Sequence, residues 1–113
     1  MVRVQQGMCM DALPVTIERF VDDNFPGWVE CSLVDSDGCM HQFIEKAPVL
    51  SAEHLVPDSA FPRLGHIACL VKDEWIDELG RQLVRVGTVE PWGVESTAGE
   101  VSFTVLRDQI VQL

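Results

Sequence analysis

Apolar and polar side chains alternate along 27–49, GWVECSLVDSDGCMHQFIEKAPV, on either side of Ser36-Asp37-Gly38. That pattern predicts two antiparallel strands with one face buried. Asp-Gly between two runs of β-branched, aromatic and leucine residues marks the turn that joins them. Gly38 is expected to take the positive φ that closes a three-residue loop with a bulge, a backbone state costly for any residue with a Cβ. In that register Asp35 faces Cys39, Leu33 faces His41 and Cys31 faces Phe43. Val29, Cys31, Leu33 and Phe43 then share one face, while Glu30, Ser32 and Gln42 point the other way. A two-residue loop at Asp37-Gly38 would set Cys31 against Ile44 instead.

Ahead of this hairpin, Val15, Ile17 and Val21 fall on one phase of alternation, and 14–21 reads as a strand entered at Pro14. Leu13, Ile17, Phe20 and Val21 also fit one helical face, an ambiguity that short runs carry. Asp22-Asp23-Asn24-Phe25-Pro26-Gly27 turns the chain. Beyond the hairpin, Pro48 stops the second strand, and 51–62 is the one long connection, with Ser51 expected as the N-cap of a single helical turn through Leu55. The stretch 65–75, GHIACLVKDEW, predicts one long strand whose centre at 67–71 is apolar on both faces and runs through the interior.

Asp77-Glu78-Leu79-Gly80 turns the chain back into a strand at 81–89, in which Gly87 marks a bend or bulge. Ser96-Thr97-Ala98-Gly99 leads into a last strand at 101–106, and 107–113 forms one helical turn or an edge strand. Residues 1–12 carry no period and are expected to be a loose N-terminal segment, leaving 13–113 as a single β-barrel domain. Met1, Met8 and Met10 are each candidates for the natural start. Six strands joined by turns and one long crossing predict an all-β fold with little helix. A small antiparallel six-stranded barrel is favoured because closure removes exposed edges, and a two-sheet β-sandwich is the alternative.

Composition fits that picture: 113 residues, 47% hydrophobic and 23% charged, make one domain able to bury roughly two-thirds of its unfolded surface. No apolar run is long enough for a membrane helix, and the first residues lack the charged and apolar segments of a secretory signal. The expected address is the cytoplasm of a bacterial-type cell, where the four cysteines stay reduced. Charge changes the picture most. Eighteen acidic against eight basic side chains give a net of −10, which disfavours nucleic acid and anionic membranes and favours encounter with basic proteins.

Candidate chemistry is sparse. Cys39 and His41 share a strand face, and Cys31 lies on the neighbouring strand, so these three are the weak candidates for a metal; the paired close spacings of a zinc site are absent. Cys31 with His41 also has the residue types of a nucleophile and its base, without a visible orienting group or oxyanion hole. His66 and Cys69, three apart on one strand, face opposite sides. Asp35-Ser36-Asp37-Gly38 is too short for a helical calcium loop, and no phosphate loop, dinucleotide fingerprint or serine elbow is present. No cofactor is expected.

Trp92, in a Pro-Trp-Gly loop between Glu90 and Glu95, is the candidate binding residue, either as an aromatic anchor for a basic partner or as a plug over the core. Asp73 and Glu74 are the further acidic candidates. The function expected is therefore a non-enzymatic, acidic protein-binding module of inhibitor or immunity type, monomeric or homodimeric. The alternatives are a small-ligand binder or enzyme with its site at the barrel mouth near Cys31 and His41, and a structural homodimer.

Overall fold

The structure, a computed structural model, describes residues 10–113. The expected loose segment lies outside the described residues up to position 9, and Asp11 and Ala12 already belong to the first strand. The elements are β1 (Asp11–Asp22), β2 (Trp28–Val34), β3 (Met40–Lys46), α1 (Ala47–Leu50), β4 (Arg63–Ala68), β5 (Leu70–Ile76), β6 (Gln82–Gly87), β7 (Ser102–Leu106), a 3-10 turn at Arg107–Gln109 and β8 (Val111–Gln112). No helix among the described residues is long and apolar enough to cross a membrane.

The fold is all-β with little helix, and its strands form two antiparallel sheets, β3-β2-β1-β4 and β5-β6-β7. No ladder closes them into one barrel, so the two-sheet alternative describes the arrangement. β1 is the spine of the larger sheet. Ala12 pairs with both Ala68 of β4 and Val111 of β8, which places β4 on one edge of β1 and β8 on the other. β8 holds the start of the second edge and β2 takes it over from Thr16. Pro14 falls in the gap between them. Its missing N–H faces that gap, so a proline sits inside a central strand without breaking a ladder bond.

The 27–49 hairpin forms in the expected register, with Leu33 opposite His41 and Cys31 opposite Phe43. The Asp35 N–H donates to Cys39 O at 2.9 Å, and Gly38 has φ 81°. Two further five-residue turns, Asp77 to Arg81 and Ser96 to Glu100, repeat this geometry. In each, the side chain at the first position accepts a bond from the backbone N–H at the fifth: Asp35 from Cys39 at 3.0 Å, Asp77 from Arg81 at 2.8 Å, and Ser96 from Glu100 at 3.0 Å.

The interval 65–75 is not one buried strand. It divides at Cys69, where the chain leaves the larger sheet for the smaller: Gly65, Ile67 and Ala68 are buried, whereas β5 is exposed except at Val71. The helical turn also differs from expectation. It lies at Ala47–Leu50, where Pro48 occupies the first turn, a position at which its missing N–H costs nothing. Ser51 ends this turn, and its hydroxyl accepts the Glu53 N–H at 3.1 Å. The tail supplies both a 3-10 turn and a short strand.

The core lies between the two sheets. Leu13, Ile17, Val29 and Phe43 of the larger sheet meet Val84, Val86, Phe103 and Val105 of the smaller, and the Phe43 and Phe103 rings sit 5.5 Å apart. At one end the hairpin tip docks on the smaller sheet: the Ser36 N–H donates to Thr104 O at 3.0 Å, and Arg81 Nη1 donates to Ser36 O at 2.9 Å. At the other end, α1 closes over β4.

Gly65 marks how closely α1 approaches. A Cβ there would lie 2.7 Å from Ile17 Cδ1 and 3.2 Å from Leu50 O, one a fully buried side chain and the other backbone. Gly65→Ala is therefore expected to destabilise the fold by about 1–3 kcal/mol. Urea unfolding should show a lower midpoint at unchanged slope; an unchanged midpoint would mean that α1 does not press on β4 in this way.

Candidate functional site

A concavity of about 710 Å3 runs along β4, within the size range of ligand-binding clefts. One wall is α1 and the residues after it, including Val49 and Leu50. The opposite wall is made by Trp92, Met10 and Leu113, which three separated parts of the chain bring together. Between them lie Leu64, His66 and Ala68 of β4. Alternation explains why these residues line it: Gly65 and Ile67 face the core, so the intervening positions face outward.

The surface is mainly apolar, and large side chains are left uncovered, with Leu64 63% and Trp92 58% exposed. Its only Lys or Arg among the described residues, Arg63, is paired with Glu53. Those residues therefore offer apolar contact and half-buried His66 without a free cation.

A smaller groove of about 280 Å3 lies beside Met40, His41 and the 96–100 turn. His41 sits between two carboxylates, Nε2 at 2.8 Å from Asp35 and Nδ1 at 3.3 Å from Glu100, with its ring edge-on to Phe103 at 5.0 Å between centroids. The Thr97 N–H donates to Gln42 O at 2.7 Å. These polar groups are engaged with one another, and together they join the 96–100 turn to β3.

The two residues proposed above as nucleophile and base are not arranged for that chemistry. Cys31 is fully buried, and burial, followed by the nearby Glu45, Glu18 and Glu30, pushes its thiol up to about 12. Burial, with Asp11 adding to it, likewise raises the Cys69 thiol to about 11. Both therefore stay protonated at neutral pH, which does not suit a nucleophile. Cys39 is exposed and reduced. Among the described residues no three His, Cys, Asp or Glu side chains gather as a metal site, so Cys31, Cys39 and His41 are not brought together as ligands.

Of the binding candidates, Trp92 is a cleft wall and not a plug over the core. Glu90 and Glu95 are exposed and outside the cleft lining. Asp73 and Glu74 lie on β5, where Arg85 and Arg107 approach them at 3.7 and 3.5 Å. Of the acids singled out in the sequence, none lines the cleft beside Trp92. Leu64, Val49 and Leu50 were missed; the available signal was that Leu64 and His66 stand on the opposite phase from Gly65 and Ile67. No protein-family model, curated protein or solved structure matches the chain.

Two turn carboxylates carry a pH signature. Burial acts to raise Asp35, but the hydrogen bond from His41 and the Cys39 and Asp37 N–H groups outweigh it and hold its pKa below the ordinary 3.8. Asp77 is lowered against the same opposition by the Arg81 N–H, the Arg81 guanidinium and the Leu79 N–H. A carboxyl lowered by folding contributes stability above its unfolded pKa, and that contribution is lost as pH falls through the folded value. The melting temperature is therefore expected to fall as pH drops below about 4. Asp35→Asn keeps an acceptor for the turn but removes the charge, and should melt lower at neutral pH with a shallower acid decline. Thermal melts across this range check it; a variant curve parallel to wild type would remove Asp35 from the account.

Proposed function

We propose that the chain is a non-enzymatic protein-binding module for a basic partner. The observation that carries this reading is the distribution of counter-charge. Of the seven described Lys and Arg side chains, Arg19, Lys46, Arg63, Arg81, Arg85 and Arg107 each lie within 3.7 Å of a carboxylate. Only Lys72 is left over. Asp22, Asp23, Asp58, Glu78, Glu90, Glu95 and Asp108 remain exposed with no described cation paired with them, which leaves unpaired negative charge on the surface of a chain whose net is −10. Such a field speeds encounter with positive partners and repels negative ones.

Two fluorescent peptides of alternating sequence, Lys-Val and Glu-Val, test this by anisotropy. The Lys-Val peptide is expected to bind and to lose at least about tenfold in affinity between about 0.05 and 0.5 M salt, as screening shortens the field. The Glu-Val peptide is expected not to bind. Equal binding of the two, or none by either, would overturn the reading.

A further inference from the structure

We propose that β4 takes up an extended segment of the basic partner as an added strand, laid into the cleft. This rests on the protein-binding reading above and specifies its geometry. The Cys69 N–H donates to Asp11 O at 3.0 Å, and β4 pairs with β1 in the same register through Ile67 opposite Leu13 and Gly65 opposite Val15. In an antiparallel ladder, hydrogen-bonded pairs alternate with non-bonded ones. The odd-numbered residues of β4 therefore bond to β1, and Leu64, His66 and Ala68 turn their backbone N–H and C=O groups away from it. Those three residues are the ones that line the cleft. Among the described residues no backbone group bonds to them from that side.

The other sheet edges are guarded. On β3, the Thr97 N–H bonds to Gln42 O at 2.7 Å. On β7, the Ser36 N–H takes Thr104 O, and Gln109 Oε1 accepts the Leu106 N–H at 2.9 Å. β5 carries a register shift between Val71 and Asp73, with Lys72, Asp73 and Glu74 exposed, and a bulge with charged residues is how edge strands avoid pairing. β4 keeps a regular register along an edge to which no described backbone group bonds, and its outward side chains line the apolar cleft.

Geometry and charge select the occupant. The cleft beside this edge is lined by Val49 and Leu50 of α1 and by Trp92, and an extended segment is what an open strand edge pairs with. An added strand alternates its side chains: the set beside Leu64, His66 and Ala68 lies on the apolar cleft face and calls for apolar residues, and the net charge of −10 favours Lys or Arg in the other set. Backbone hydrogen bonds would then supply affinity and the apolar pockets the register, as in other strand-addition complexes.

The test places the perturbation on the ligand, where it cannot affect folding. The Lys-Val peptide is made in two N-methylated forms, one methylated at the valine amides and one at the lysine amides. In an added strand only one of these sets faces β4, so one form should lose at least about tenfold in affinity and the other should bind within about twofold of the parent. Amide shifts on binding should fall on Leu64, His66 and Ala68 and spare Gln42 and Ile44 of β3. Trp92→Ala should weaken the parent peptide, and Ile44→Ala should not. Equal affinity of the two methylated forms, while the parent still binds, would overturn strand addition and leave the binding reading standing; loss of binding by the parent itself would remove both.

Discussion

Hydrogen-bond phase along β1 is the constraint on which the larger sheet depends. As far as Ile17, its even positions bond towards β8 and β2 and its odd positions towards β4, as the Leu113 N–H to Met10 O and Cys69 N–H to Asp11 O bonds establish at the N-terminal end. That phase decides where a proline is harmless, which residues of β4 reach the core, and which of its backbone groups are left over. A slip of one residue would send Leu13, Val15 and Ile17, now buried, to the opposite face. Burial of those three side chains therefore fixes the open backbone groups on β4 as firmly as it fixes the core.

The second sheet is tied to the first in two different ways. At Cys69 the connection is covalent and buried, since a single residue separates β4 from β5. At the hairpin tip it is polar: Arg81 holds Asp77 at 2.7 Å through Nε while donating to Ser36 O. Repetition of one turn design makes this contact possible. Each such turn satisfies its own inward-facing N–H groups with an Asp or Ser side chain, so the outer groups at its tip remain available to dock on a neighbour.

Legibility in the sequence followed the range of the interaction. The 27–49 hairpin could be read to its register because Asp-Gly and the flanking alternation are local. The division of 65–75 could not, because Ile67, Ala68, Cys69 and Leu70 are uniformly apolar and nothing in that run marks the residue at which burial stops; Leu70 is 42% exposed beside buried Cys69. Pro48 was read only as a strand terminator, although the first turn of a helix accepts it equally well. Asp73 and Glu74 looked like free acids until β6 supplied Arg85 and the chain beyond β7 supplied Arg107. The cleft itself was the least legible feature, since Met10, Val49, Leu64, Trp92 and Leu113 meet only in the folded chain.

An unpaired edge beside apolar walls is ordinarily an aggregation hazard, and here the net charge acts against it. Two copies each carry a net of −10, so they repel as they approach. For a basic segment of the kind proposed above, the same charge is attractive. Under that proposal the acidic surface would supply the discrimination that exposed backbone groups, being alike in every protein, cannot.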